Sequence, residues 1–178
     1  VVGIDASAKK VSLSNGENLS FDILVLATGA RPRELNVSGF ETTQLYYLRD
    51  LDDAERLAAA LKNAKSVAII GGGFIGLELA SAARKLGAKA TVIESQSRLM
   101  TRLLPTEPAD HLAGIARDHG VTIELDARIT NVSDNGVGLG DGRMIDADVI
   151  IAGIGAIPND DLASGAGIKT DEKGGIIV

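Results

Sequence analysis

Residues 66–94 constrain the fold more than any other stretch of this chain. Ser66–Ile70 reads as a short apolar strand. Gly71-Gly72-Gly73-Phe74-Ile75-Gly76 follows without a break. Phe74–Leu86 then carries a helical pattern closed by Gly87, and Lys89–Glu94 reads as a second strand. A Gly-x-Gly-x-x-Gly set alone is a weak signal. Here it sits between a strand and a helix, and an acid, Glu94, ends the next strand 18 residues past Gly76. That context predicts a dinucleotide-binding βαβ unit.

Each residue of the unit has a physical task. Gly71 allows the tight turn out of the strand, and Gly73, without a Cβ, lets a pyrophosphate approach the backbone. Gly76 and Ala80 let the helix pack closely on the sheet. The N–H groups at the helix start, with the dipole, favour the anion. Glu94 is expected to accept from the adenine ribose hydroxyls. A 2′-phosphate there would meet a like charge and several kcal/mol of repulsion before screening, so NAD is expected over NADP. Arg98, four residues on, works against that preference. An exposed strand-end carboxylate is the alternative for Glu94. Glu78 is either a nicotinamide contact or a surface carboxylate, and Phe74 either a site residue or a core residue.

The rest of the chain is consistent with an α/β domain. Val1–Ile4 and Lys10–Leu13 read as strands, with Asn15-Gly16 as a hairpin turn. Phe21–Ala27 reads as a strand buried on both faces. A polar stretch follows to about Phe40. A helix is predicted over Leu51–Lys62 with Asp50 as its cap. Thr106 is placed to cap another, which runs to His119 and ends at Gly120. Val121–Glu124, Ala127–Ser133, Val137–Leu139 and Asp148–Ile154 read as strands, with Asn135-Gly136 as a turn. The predicted fold is α/β and Rossmann-type: a parallel sheet, helices on both faces, and an antiparallel β-meander. A net charge of −6 argues against nucleic acid or an anionic membrane as partner. With no cysteine, the chain has no disulfide framework and no thiolate site. His111 and His119 form no metal constellation. No apolar run approaches a membrane span. A cytoplasmic setting is the default expectation.

Residues 11–32 align without a gap on residues 137–158. Val11, Leu13, Gly16, Asp22, Gly29, Ala30 and Pro32 recur as Val137, Leu139, Gly142, Asp148, Gly155, Ala156 and Pro158. Both copies read as a hairpin, a buried strand and Gly-Ala-x-Pro. Such a duplication points to two related dinucleotide domains. Only the second copy has its glycine-rich unit upstream, so the chain is expected to be a fragment.

Ile-Leu-Val-Leu-Ala-Thr-Gly-Ala-Arg-Pro-Arg at 23–33, Tyr-Leu-Arg at 47–49, Gly-Gly-Gly-Phe-Ile-Gly-Leu-Glu at 71–78, Arg-Leu-Leu-Pro at 102–105 and Gly-Ile-Gly-Ala-Ile-Pro-Asn at 153–159 occur in one order. With these motifs the chain resembles the FAD-dependent pyridine-nucleotide oxidoreductases. Within them it is most similar to the ferredoxin, putidaredoxin and rubredoxin reductases of bacterial oxygenases. The resemblance implies that NADH delivers hydride to FAD, which passes single electrons to a ferredoxin-like iron–sulfur protein. It places Gly73, Phe74, Ile75, Glu78 and Glu94 at the NAD, with Gly155 near the meeting point of the two cofactors. It places Thr28, Gly29 and Arg49 at FAD in the full-length protein. A cation just before a helix N-terminus, such as Arg49, is disfavoured by the dipole, and an anionic partner would rationalise it; a surface arginine is the other reading. Residues 31–158 would be the NAD(P)-binding domain, and 1–30 with 159–178 segments of an incomplete FAD domain.

Two competing functions are another FAD/NAD(P) oxidoreductase (an NADH oxidase, a nitrite-reductase flavin subunit or a disulfide reductase) and a non-enzymatic NAD-binding module. No catalytic residue is assigned within the chain itself. The purified chain is expected to bind NADH while retaining no tight FAD and reducing no dye. A flavin absorption band together with NADH-dependent dye reduction would refute this.

Overall fold

The computed structural model describes residues 1–39, 41 and 44–178. Its contacts gather into two units, Pro32–Gly155 and a smaller one made of Val1–Arg31 with Ala156–Val178. In the smaller unit β1 (Gly3–Asp5), β2 (Lys10–Ser12) and β3 (Asn18–Ser20) form an antiparallel sheet in that order. Asn15-Gly16 turns the chain between β2 and β3, with Gly16 at φ +89°. β4 (Ala30–Pro32) follows.

The predicted buried strand at Phe21–Ala27 does not form. Ile23 is 86% exposed and Val25 80% exposed. A run of this kind becomes a sheet strand only where neighbours pair its backbone and cover both faces. None of the described strands pairs with it.

The larger unit continues with β5 (Leu45–Tyr46), α1 (Leu51–Leu61), β6 (Ser66–Ile70), α2 (Phe74–Lys85), β7 (Lys89–Ile93), α3 (Thr106–Asp118) and β8 (Val121–Glu124). β9 (Ile129–Ser133), β10 (Gly136–Leu139), β11 (Met144–Asp146) and β12 (Val149–Ala152) complete it. Five strands form one parallel sheet in the order β5-β12-β6-β7-β8. β9, β10 and β11 form an antiparallel meander. The fold is thus α/β and Rossmann-type. The chain then returns to the smaller unit as β13 (Ala156–Pro158) and α4 (Asp161–Gly165). β13 pairs with β4, so the two Gly-Ala-x-Pro ends of the repeat meet.

The expected placement of helices on both faces is corrected. Val67 and Ile69 of β6 and Val149 and Ile151 of β12 share a core with Leu57 and Leu61 of α1, Ala80 and Ala83 of α2, and Ala109 and Ala113 of α3. Ala68, Ile70, Ile150 and Ala152 turn to the other face and pack with Val132, Val137 and Leu139 of the meander. The reason is topological. The steps β5 to β6, β6 to β7 and β7 to β8 all cross the sheet in one direction. Right-handed crossovers then put all three helices on the same face. The chain steps back to β12 through the meander, which covers the other face.

Local signals behave mostly as read. The Asp50 carboxylate accepts from Asp53 N–H at 2.9 Å and starts α1. Thr106 is not the cap of α3: Pro105 stands there without a side-chain bond, and Thr106 is the first helical residue. The stretch expected to be polar after Arg33 buries Leu35 in the meander-side core, and its end at Phe40 lies outside the described residues.

Asp148 ties the start of β12 to β6. Its carboxylate accepts from Lys65 N–H at 2.7 Å and Ser66 N–H at 2.9 Å. These two bonds, led by Lys65 N–H, hold its pKa below the ordinary aspartate value. A depressed pKa contributes stability that is present above the unfolded-state pKa and lost as pH falls through the folded one. Asp148→Ala is expected to cost about 1 kcal/mol near neutral pH. That difference from the parent should shrink below about pH 4, where the unfolded carboxylate protonates. Denaturant melts of both proteins across pH check this.

Candidate functional site

The cleft lies where the strand order reverses, between β6 and β12, at the carboxyl ends of the strands. Open α/β sheets place ligands at such points. Within the larger unit it has a volume of about 510 Å³. Gly71, Gly72 and Gly73 leave β6 on its floor, Gly153, Ile154 and Gly155 leave β12 beside them, and Glu94 ends the wall from β7.

The glycines of the turn are required for different reasons. Gly71 sits at φ +108°, and a Cβ there would collide with the Gly153 carbonyl. A Cβ on Gly72 would run into Leu99 and crowd Glu94. One on Gly76 would overlap the Gly71 carbonyl, so α2 closes tightly on the turn. Gly73 differs, because a Cβ there would meet no protein atom within 4 Å. Its lack of a side chain leaves open space in the cleft.

Glu94 is bound into the turn. Its Oε2 accepts from Gly72 N–H at 2.7 Å; its Oε1 accepts from Gln96 N–H at 2.9 Å and Ser95 Oγ–H at 3.2 Å. The Gly72 carbonyl in turn accepts from Met100 N–H at 3.0 Å. Gly72 is therefore gripped from both sides, with Met100 buried at φ +56°. Arg98 does not reach into the cleft as a spare cation. Its Nη1 donates to the Leu104 carbonyl at 3.0 Å and its Nη2 to that of Thr101 at 3.3 Å.

The other predicted site residues lie outside this cleft. Phe74 and Ile75 are each 50% exposed on the first turn of α2, which removes the core-packing reading of Phe74. Glu78 is exposed one turn further on. α2 has Gly73 at its cap, no side-chain cap bond and no acid in its first turn. Arg49 is exposed, with its N–H bonded to Asp53 at 2.9 Å. In the smaller unit the Gly29 carbonyl accepts from Asn159 N–H at 2.9 Å, and the Thr28 carbonyl from Asn159 Nδ2 at 2.9 Å. Sequence reasoning missed Gln96, Thr101, Asp126 and Arg128 in the cleft, and gave Arg102 no role there. Gln96 follows Glu94 by two residues, but no spacing marks the others, since Thr101, Asp126 and Arg128 arrive on loops brought in by tertiary packing. Among the described residues no three metal-ligating side chains cluster, and no helix is long and apolar enough to cross a membrane.

A family model described as pyridine nucleotide-disulphide oxidoreductase matches residues 1–178. The chain belongs to the pyridine nucleotide-disulphide oxidoreductase family. It is 40% identical to the ferredoxin–NAD(+) reductase component of the p-cumate 2,3-dioxygenase system of Pseudomonas putida, over 96% of this chain and 44% of that one. The ferredoxin reductase for the CYP199A2 system from Rhodopseudomonas palustris has a similar structure, with a TM-score of 0.95 and 36% identity over 99% of this chain and 45% of that one. The covalent putidaredoxin reductase–putidaredoxin complex matches with a TM-score of 0.89 and 36% identity over 95% of this chain and 43% of that one. The chain thus spans a little under half the length of these relatives.

The glycine geometry gives a test of stability alone. Gly76→Ala is expected to lower the melting temperature by roughly 4–8 °C, from about 2 kcal/mol of overpacking. Gly73→Ala should leave it nearly unchanged, since φ is −86° and the space is open. Thermal melts followed by circular dichroism distinguish the two, and equal losses would contradict the assignment.

Proposed function

We propose that this chain supplies the NADH-binding part of a flavin-dependent ferredoxin reductase, which passes electrons from NADH through FAD to an iron–sulfur protein. The observation that carries the reading is the open face of Gly73. It is the one fingerprint glycine whose missing side chain serves no protein contact, and it caps a helix whose N-terminus has no acid and no side-chain cap. The residues present fit a dinucleotide pyrophosphate at that place.

The first-turn N–H groups of α2 would take the phosphate oxygens, and Gly73 would let them come close. Glu94 would hold the ribose. Its Oε2 has one protein donor, so a lone pair remains for a hydroxyl, while Oε1 already has two donors. The negative charge beside the ribose favours NADH over NADPH, and Arg98, held by its own loop, does not relieve it. Phe74 and Ile75 would shield the nicotinamide end from water, with Glu78 and Gly155 nearby. The flavin, when bound, supplies the step from hydride to single electrons. Arg49, with no side-chain partner among the described residues, would face FAD's anionic part, with Thr28 and Gly29 contributing backbone. Relatives named as ferredoxin–NAD(+) reductases support the cofactor and the reaction. The neighbour solved with putidaredoxin supports the class of acceptor.

Calorimetric titration tests the reading. The chain should bind NADH more tightly than NADPH, and Gly73→Ala should weaken NADH at least ~tenfold, about 1.4 kcal/mol, without loss of stability. Equal or tighter binding of NADPH would overturn the role given to Glu94.

A further inference from the structure

Two arginines, Arg102 and Arg128, line the cleft and make neither an ion pair nor a side-chain hydrogen bond with any described residue. Elsewhere Arg31, Arg56 and Arg143 each find a carboxylate, and Arg84 and Arg98 find carbonyl oxygens, while Arg33, Arg49 and Arg117, outside the cleft, also have no side-chain partner among the described residues. Arg128 is also the better anchored of the two at its backbone. Its carbonyl accepts from Gly140 N–H at 2.7 Å. Just before it, Ala127 N–H donates to the Glu94 carbonyl at 3.0 Å and Asp126 N–H to that of Gln96 at 3.0 Å. Ala127 itself turns into the core. The segment therefore lies along the Glu94–Gln96 edge, with the exposed Arg128 side chain free at the cleft.

We infer that Arg128 recognises the adenine ring, laying its guanidinium plane on one face of the base. This rests on the dinucleotide reading of the cleft, which sets the adenosine ribose at Glu94 and so the base beside Arg128. A guanidinium is planar and weakly hydrated and lies flat on an aromatic face, whereas an ammonium meets that face only as a strongly hydrated point charge. Adenine is uncharged, so it fits a site whose lining also carries Glu94 and Asp126.

The test is calorimetry of this chain and its Arg128→Ala and Arg128→Lys variants with ADP-ribose, NADH, NADPH and nicotinamide mononucleotide. Thermal melts serve as a control for folding. Arg128→Ala should weaken ADP-ribose and NADH by the same factor, roughly three- to tenfold, leave the mononucleotide unchanged and keep the melting temperature. Arg128→Lys should recover little of the loss. Unchanged ADP-ribose affinity in a folded Arg128→Ala variant overturns the inference. So does full recovery by lysine, which would make the effect one of charge. A larger loss for NADPH than for NADH also overturns it, by assigning Arg128 to a phosphate. If the unaltered chain binds neither ADP-ribose nor NADH, the reading of the cleft itself falls, and this inference falls with it.

Discussion

Val67 and Ile69 look one way from β6, Ala68 and Ile70 the other, and each pair is buried. A central parallel strand has no solvent face, so both of its sides need a cover. The rest of the larger unit answers that need. Three helices presenting small or branched residues cover one side. A meander covers the other, and it occupies the return path from β8 to β12. Removing either layer would expose the strand that carries the glycine turn.

The cleft is a by-product of this arrangement. β12 comes home beside β6 from the opposite direction to the helical crossovers, so the loops leaving the two strands diverge and leave a gap. Gly71 and Gly153 approach so closely there that only glycine fits at the first position. The grip on Gly72, from Glu94 on one side and Met100 on the other, keeps the floor of the gap rigid. A site built this way is preorganised by backbone contacts that exist without a ligand, and this lowers the ordering cost of binding.

The smaller unit shows the limit of local reading. Its β1–β3 hairpins form because their partners are adjacent in the chain. The apolar run at 21–27 has the same kind of sequence as β12, yet Ile23 and Val25 stay exposed while Leu24 and Leu26 are only half-buried. β12 lies between β5 and β6, whereas no described strand flanks the earlier run. Hydrophobic pattern marks a segment's preference, and pairing partners decide whether the preference is realised.

The residues alone determined the βαβ unit from Ser66 to Glu94, the Asp50 cap, the Asn15-Gly16 turn and the family resemblance, all of them short-range. The second turn falls at Asp134-Asn135, one residue before the expected Asn135-Gly136, because Gly136 already pairs with Ser133 in β10. Strand, turn and cap chemistry act over a few positions, and the fingerprint glycines answer to backbone geometry within one supersecondary unit. Tertiary structure alone decided that α1, α2 and α3 share one face, because that depends on the order of strands in the sheet. It also decided that Arg98 is tied down while Arg128 is free at the cleft. Which carbonyls and carboxylates lie within reach of a guanidinium depends on loops far apart in the chain, and no spacing in the sequence records that distance.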